Sequence, residues 1–147
     1  MFKTNALSDK DIKDILKSQK ININGVYMKD ELPSKLKSGF YIINLQSSNI
    51  GNGTHWTTLF YNFKQSYYFD AFGFPAPIEV EQKLNAYTYN DKQIQNLNST
   101  ACGYYCVSFI LSMNKQKNKE MGFKKFIDVF SKNSKKNDEI LYNFLYN

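Results

Sequence analysis

Ser99-Thr100-Ala101-Cys102-Gly103-Tyr104-Tyr105-Cys106-Val107-Ser108-Phe109-Ile110-Leu111-Ser112-Met113 is the clearest helical stretch of the chain. Cys102, Tyr105, Cys106, Phe109, Ile110 and Met113 recur at i, i+3, i+4, i+7, i+8 and i+11, and Val107 and Leu111 widen the stripe. A helix of this kind belongs at the centre of a molecule, buried on most sides. Ser99 or Thr100 can cap it, which sets Cys102 in its first turn. Unsatisfied N–H groups and the helix dipole there favour a thiolate. Gly103 is expected to leave the space beside the sulfur free, so that a substrate backbone comes close. Cys106 reads as a small buried hydrophobe. The two cysteines, i and i+4 on one helix, are expected to be free thiols in a reducing compartment.

The segments before this helix read as a sheet. Phe40–Gln46 is β-branched and aromatic, and His55–Tyr61 and Ser66–Asp70 are strand-like, with the turn-rich link Ser47–Thr54 between the first two. Only Asn62–Gln65 separates the second and third, so they are expected to form an antiparallel hairpin. Paired positions should sum to 125 or 126, which brings His55, the chain's one histidine, and Asp70 to the same end. A thiol has a pKa of about 8.5, so an adjacent imidazole is needed to ionise it near neutral pH. Asp70 would hold that imidazole in the right tautomer, and an amide side chain with the Cys102 N–H would stabilise an oxyanion.

Towards the N-terminus, Ser8 and Asp11 form a capping box before Ile12, Ile15 and Leu16, which predicts a helix over 9–18. Residues 21–37 read as loop with a helical turn near Pro33–Leu36. Ala71–Pro77 is a Gly/Pro turn, Ile78–Leu84 is undecided, and Ala86–Gln95 reads as one or two short strands. Phe123, Phe126, Ile127 and Phe130 mark another helix; Ile140, Leu141, Phe144 and Leu145 mark a last one, capped by Asn137.

The chain has 147 residues, 42% of them hydrophobic and 22% charged, with three prolines and seven glycines. These values exclude disordered and collagen-like classes and predict one domain over 1–147. No apolar stretch approaches the roughly 18 residues of a membrane span, and Met1–Lys10 has no signal core, so no membrane contact and no secretion are expected. Two cysteines and one histidine cannot furnish a four-ligand Cys/His zinc site. All nineteen basic residues are lysine against thirteen acids. Lysine lacks the planar fork that reads a base edge, so nucleic-acid binding would be backbone-driven and salt-sensitive. Lys115, Lys117, Lys119, Lys124, Lys125, Lys132, Lys135 and Lys136 face only Glu120 and Asp128 in their segment, and are the candidate DNA-binding set. The bland alternative is a solvated helix face.

Gly53-Thr54-His55-Trp56, Tyr68-Phe69-Asp70-Ala71-Phe72-Gly73-Phe74 and Gln95 through Cys106 resemble adenain, the adenovirus maturation protease, and the wider group that includes SUMO-specific proteases. Gly25-Val26-Tyr27 and Leu141-Tyr142-Asn143-Phe144-Leu145 extend the resemblance over most of the chain. It implies an α+β fold in which a small mixed or antiparallel sheet packs on the helix bearing the nucleophile. It implies Cys102 as nucleophile, His55 as base, Asp70 as orienting acid and Gln95, seven residues before the nucleophile, as the oxyanion-hole amide. Trp56, beside the base, and Gly103 would make a narrow groove suited to glycine. By the same resemblance the substrate is a viral capsid or core precursor, DNA is an activator, no organic or metal cofactor is required, and the site of action is the virion and infected cell. Asp70 stands where adenain has a glutamate. Residues 71–94 contain no cysteine, which excludes a disulfide-tethered peptide activator. A monomer is expected. A protease for a ubiquitin-like modifier shares the same parts, and a non-catalytic, lysine-rich nucleic-acid-binding virion protein is the alternative outside enzymes.

Overall fold

Asp9–Ser18 forms helix α1, and its start follows from the sequence directly. The Ser8 hydroxyl accepts from the Asp11 N–H and the Asp11 carboxylate accepts from the Ser8 N–H, closing the capping box. The computed structural model describes residues 6–46 and 55–146, so the link Ser47–Thr54 lies outside the described residues. Beyond α1 come strands β1 (Gly25–Met28), β2 (Gly39–Asn44), β3 (Trp56–Tyr61) and β4 (Ser66–Phe69). The short helix α2 (Ile78–Glu81), β5 (Tyr87–Tyr89) and helices α3 (Cys102–Asn114), α4 (Lys119–Asp128) and α5 (Asn137–Tyr146) complete the order. A 3-10 turn over Ser134–Lys136 leads into α5.

The five strands form one mixed sheet in sequence order. β1 lies parallel to β2 and β5 parallel to β4, while β2, β3 and β4 are antiparallel neighbours. The fold is α+β, as expected. β1 falls where the sequence reads as loop, because a four-residue, half-buried edge strand needs no alternating pattern. No helical turn forms at Pro33–Leu36.

Both faces of the sheet are covered, which is why Phe40–Ile43 is continuously apolar rather than alternating. Phe40, Ile42, Trp56, Tyr67 and Phe69 face α1, α3, α4 and α5. Tyr41, Ile43, Leu59 and Tyr68 face Leu32, Leu36, Ala76 and Val80. Helix α3 is buried from Cys102 through Ile110 and again at Met113, as the wide apolar stripe predicts. Phe69 stacks on Phe109 with ring centroids 4.9 Å apart, and Phe126 meets both edge-on. Phe69 adjoins Asp70, and Phe109 lies two turns beyond Cys102, so this stack fixes the end of β4 against the helix bearing the thiol.

Candidate active site

Hairpin β3–β4 pairs Thr58 with Phe69, Leu59 with Tyr68 and Phe60 with Tyr67. Those pairs sum to 127, one or two beyond the expected register, because the connection is four residues long. Ser66 Oγ donates to the Asn62 carbonyl and accepts the Asn62 N–H, bridging that connection. Continued past the strand end, the register sets Asp70 opposite Thr57 rather than opposite His55. Residues 55 and 57 share a face, so His55 still reaches Asp70 diagonally. His55 Nε2 and Asp70 Oδ1 are 2.7 Å apart.

Asp70 has no exposed surface. Its Oδ1 also accepts the Phe72 N–H at 2.8 Å, while Oδ2 has no hydrogen-bond partner among the described residues. A buried carboxylate is costly unless paired and hydrogen-bonded, and His55 and the Phe72 N–H are its partners here. Asn90, itself buried, grips the Asp70 backbone from both sides: Oδ1 accepts its N–H at 3.1 Å and Nδ2 donates to its carbonyl at 2.6 Å. The Phe72 ring stacks on the imidazole, 4.4 Å between centroids.

The Cys102 thiol lies near enough to the half-buried imidazole to favour its charged form, and with Nε2 taken by Asp70, Nδ1 is the ring nitrogen not engaged by the carboxylate. Burial disfavours the imidazolium, but the hydrogen bond to Asp70, the influence of Cys102 and the Coulomb attraction of both outweigh it. His55 is raised to about 9. Both cysteines are free and buried. Burial pushes the Cys106 thiol well above its usual range, which suits an inert packing residue.

Gln95 arrives through the turn after β4. The Ile94 and Gln95 N–H groups both donate to the Ala71 carbonyl at 2.8 Å. Gly73 makes this possible: it adopts φ +86°, and a Cβ there would lie 2.9 Å from the Lys92 backbone. Gln95 Nε2 donates to the Ser99 carbonyl at 2.9 Å, and its buried Oε1 has no partner among the described residues. The residue before α3 is Ala101, which offers no side-chain cap; Ser99 Oγ instead accepts the Ala101 N–H at 3.1 Å. The first N–H groups of α3 therefore lack the expected Ser or Thr cap.

Two expected groove residues are placed differently. The space beside Gly103 is filled: a Cβ there would meet Leu7 Cβ at 2.9 Å and Ile12 Cδ1 at 3.4 Å. The missing side chain admits the N-terminal segment and α1, not a peptide. Trp56 is a buried member of the main core, its indole N–H donated to the Leu7 carbonyl at 2.9 Å. The lysine set divides as well. Lys119 Nζ donates to the Met113 and Gln116 carbonyls at 2.6 and 2.7 Å and lies over the Phe60 ring, so it caps the end of α3 rather than facing solvent. Lys124 pairs with Glu120 at 3.6 Å. Lys115, Lys117, Lys125, Lys132, Lys135 and Lys136 are exposed.

No family model matches the sequence, and no curated protein matches it by sequence. Among solved structures, the crystal structure of the ASFV pS273R protease aligns with 97% of this chain and 67% of its own length, at a TM-score of 0.57 and 15% identity. The chain shares the fold of that protease. At this identity the likeness carries the fold and leaves the narrower likeness to adenain resting on the motifs. In this fold His55 and Asp70 sit just outside the ends of β3 and β4, and Cys102 opens α3. Among the described residues no group of three or more His, Cys, Asp or Glu could hold a metal, and no helix is long and apolar enough to cross a membrane.

Phe72, Asn90 and Asp138 support these groups and escape sequence reading, while Ser99, read as a cap, takes the Ala101 N–H and bonds Asp138 instead. Phe72 stands inside a quoted motif, but nothing in spacing distinguishes it from Phe74, which is exposed. Asn90 and Asp138 act across 20 and 39 residues, and no local pattern marks either.

Proposed function

We propose that the chain is a cysteine endopeptidase. The observation that carries this reading is the imidazole of the single histidine, held by a buried carboxylate at 2.7 Å and acted on electrostatically by the thiol in the first turn of the central helix. In the proposed reaction the Cys102 thiolate attacks the scissile carbonyl, forming a C–S bond. The oxyanion is held by the Cys102 N–H and the Gln95 amide. His55 passes its proton to the leaving amine as the C–N bond breaks. It then takes a proton from water, whose oxygen displaces Cys102 from the thioester. This acyl transfer requires neither a metal nor an organic cofactor.

The motif resemblance to adenain and the viral source of the structural neighbour support a capsid or core precursor as substrate, cut at a Gly-containing site in the virion or infected cell. The six exposed lysines from Lys115 to Lys136 other than Lys124, which pairs with Glu120, support non-specific DNA as a partner. A modifier-specific protease is separated by comparing a Gly-Gly fluorogenic peptide with SUMO and ubiquitin C-terminal substrates.

Because nucleophile and base act as a unit, Cys102→Ala, His55→Ala and the double variant are expected to lose activity on the fluorogenic peptide by similar large factors. Cys106→Ala should keep it. Full turnover by His55→Ala would end this reading, since no second histidine exists to take its place.

A further inference from the structure

We propose that Asp138, in the first turn of α5, is a positioning residue for the oxyanion-binding groups, acting through Ser99 on the Gln95 amide and the entry to α3; this rests on the protease reading above. The Ser99 hydroxyl donates to Asp138 Oδ2 at 2.8 Å. A hydroxyl has one hydrogen, so with that hydrogen committed its lone pairs are left to accept. They accept the Ala101 N–H at 3.1 Å and lie 3.4 Å from Gln95 Nε2. The Ser99 carbonyl takes the shorter bond from the same nitrogen, 2.9 Å.

Both oxygens of Ser99 therefore present only acceptors to Gln95, which decides the orientation of the amide. The nitrogen faces Ser99, and of its two hydrogens one is engaged on the carbonyl while the other is held loosely enough to meet an incoming oxyanion. Without Asp138 the Ser99 hydrogen is free to turn towards Gln95. An amide flipped to receive it would offer its carbonyl oxygen where a donor is needed.

The other Asp138 oxygen is engaged too. Tyr105 donates its phenolic O–H to Oδ1 at 2.8 Å. Tyr105 stands three residues after Cys102 on α3, so one carboxylate links the loop before the nucleophile to the helix that carries it. The neighbouring residue works on the other flank. Asn137, fully buried, donates Nδ2 to the Ile94 and Ser131 carbonyls at 2.8 Å and accepts the Ser131 N–H. It thus serves as a strut beside Gln95 and not as the α5 cap that its position in sequence predicts.

An acidic residue in the first turn of a helix stabilises that helix wherever it points, so the test must separate positioning from helix stability. Three rates are compared in wild type, Asp138→Ala and Ser99→Ala. Alkylation of Cys102 by iodoacetamide across pH reports the thiolate pair and needs no oxyanion. Turnover of a Gly-Gly fluorogenic peptide and inhibition by the matching peptide aldehyde both need it, because the aldehyde adds to sulfur and leaves an oxyanion in the same place. Asp138→Ala should lower kcat and aldehyde affinity by roughly 10-fold or more, short of the 10²–10³ expected for deleting a donor outright. KM and the alkylation profile should stay near wild type. Ser99→Ala, which leaves the first turn of α5 untouched, should show the same pattern and stands in if Asp138→Ala does not fold. Unchanged kcat and aldehyde affinity, or alkylation falling in step with turnover, would overturn the positioning role. A wild type that alkylates normally but neither cleaves the peptide nor binds the aldehyde overturns the protease reading, and this role with it.

Discussion

Asp70 is a carboxylate with no exposed surface and one oxygen left without a hydrogen bond among the described residues, so its charge is tolerable only beside the His55 cation. That dependence sets two expectations at the level of single residues. Asp70→Asn keeps the volume but supplies an amide that can donate to Nε2. The imidazole hydrogen is then driven to Nδ1, where it cannot take the thiol proton. Turnover on the fluorogenic peptide should fall by orders of magnitude while the protein still folds; wild-type kcat in Asp70→Asn would remove the acid from the mechanism. The second expectation concerns pH. His55 is raised from about 6.5 to about 9, so the folded protein binds this proton more tightly than the unfolded chain. The stability it contributes is full below about pH 6.5 and is lost as pH rises through about 9. The difference in urea midpoint between wild type and His55→Gln should therefore narrow across that window. A flat difference would contradict the His55–Asp70 pair.

At the scale of elements, the site is assembled by a turn and a stack. The turn after β4 passes through Gly73 at φ +86°, with its Cα against the Lys92–Gln93 backbone. Its Asp70–Gly73 hydrogen bond of 2.8 Å and the bonds from Ile94 and Gln95 to Ala71 bring acid and amide into one corner. Gly73→Ala combines an unfavourable φ with a backbone clash that no flexible side chain can relieve, so a loss of roughly 1–3 kcal/mol is expected. Because Gln95 hangs from this turn, kcat should fall beyond the effect of stability alone when both are measured well below the unfolding midpoint. A variant as stable and active as wild type would mean the turn is soft. The stack of Phe69 on Phe109 performs the matching task between sheet and helix.

Across the whole molecule, charge is unevenly placed. Of the eight lysines from Lys115 to Lys136, Lys119 closes the end of α3 and Lys124 pairs with Glu120, which leaves six that are exposed and form no ion pair among the described residues. If all six neutralise phosphates, log K against log salt should slope at roughly −5, from about −0.9 per contact. Duplex titrations at two salt concentrations measure this, with Lys132, Lys135 and Lys136 replaced by Gln as the comparison. A slope near zero, or affinity indifferent to those replacements, would assign the charge to solubility.

The sequence by itself determined the elements whose signals are local. The capping box sets the start of α1, the apolar stripe makes α3 the buried axis, and the single histidine leaves no rival for its role. Tertiary structure decided whatever depends on residues far apart in the chain. Hairpin register followed from how a four-residue connection closes on Ser66, not from any turn motif. Gly103 gives way to Leu7 and Ile12 from a segment nearly a hundred residues earlier, and Trp56 is tied to the same place. Ser99 and Asp138 meet across 39 residues. Local propensity is a property of neighbours in sequence, whereas hydrogen-bond partners of buried polar groups are chosen by packing, and packing is known only once the sheet and helices have closed on one another.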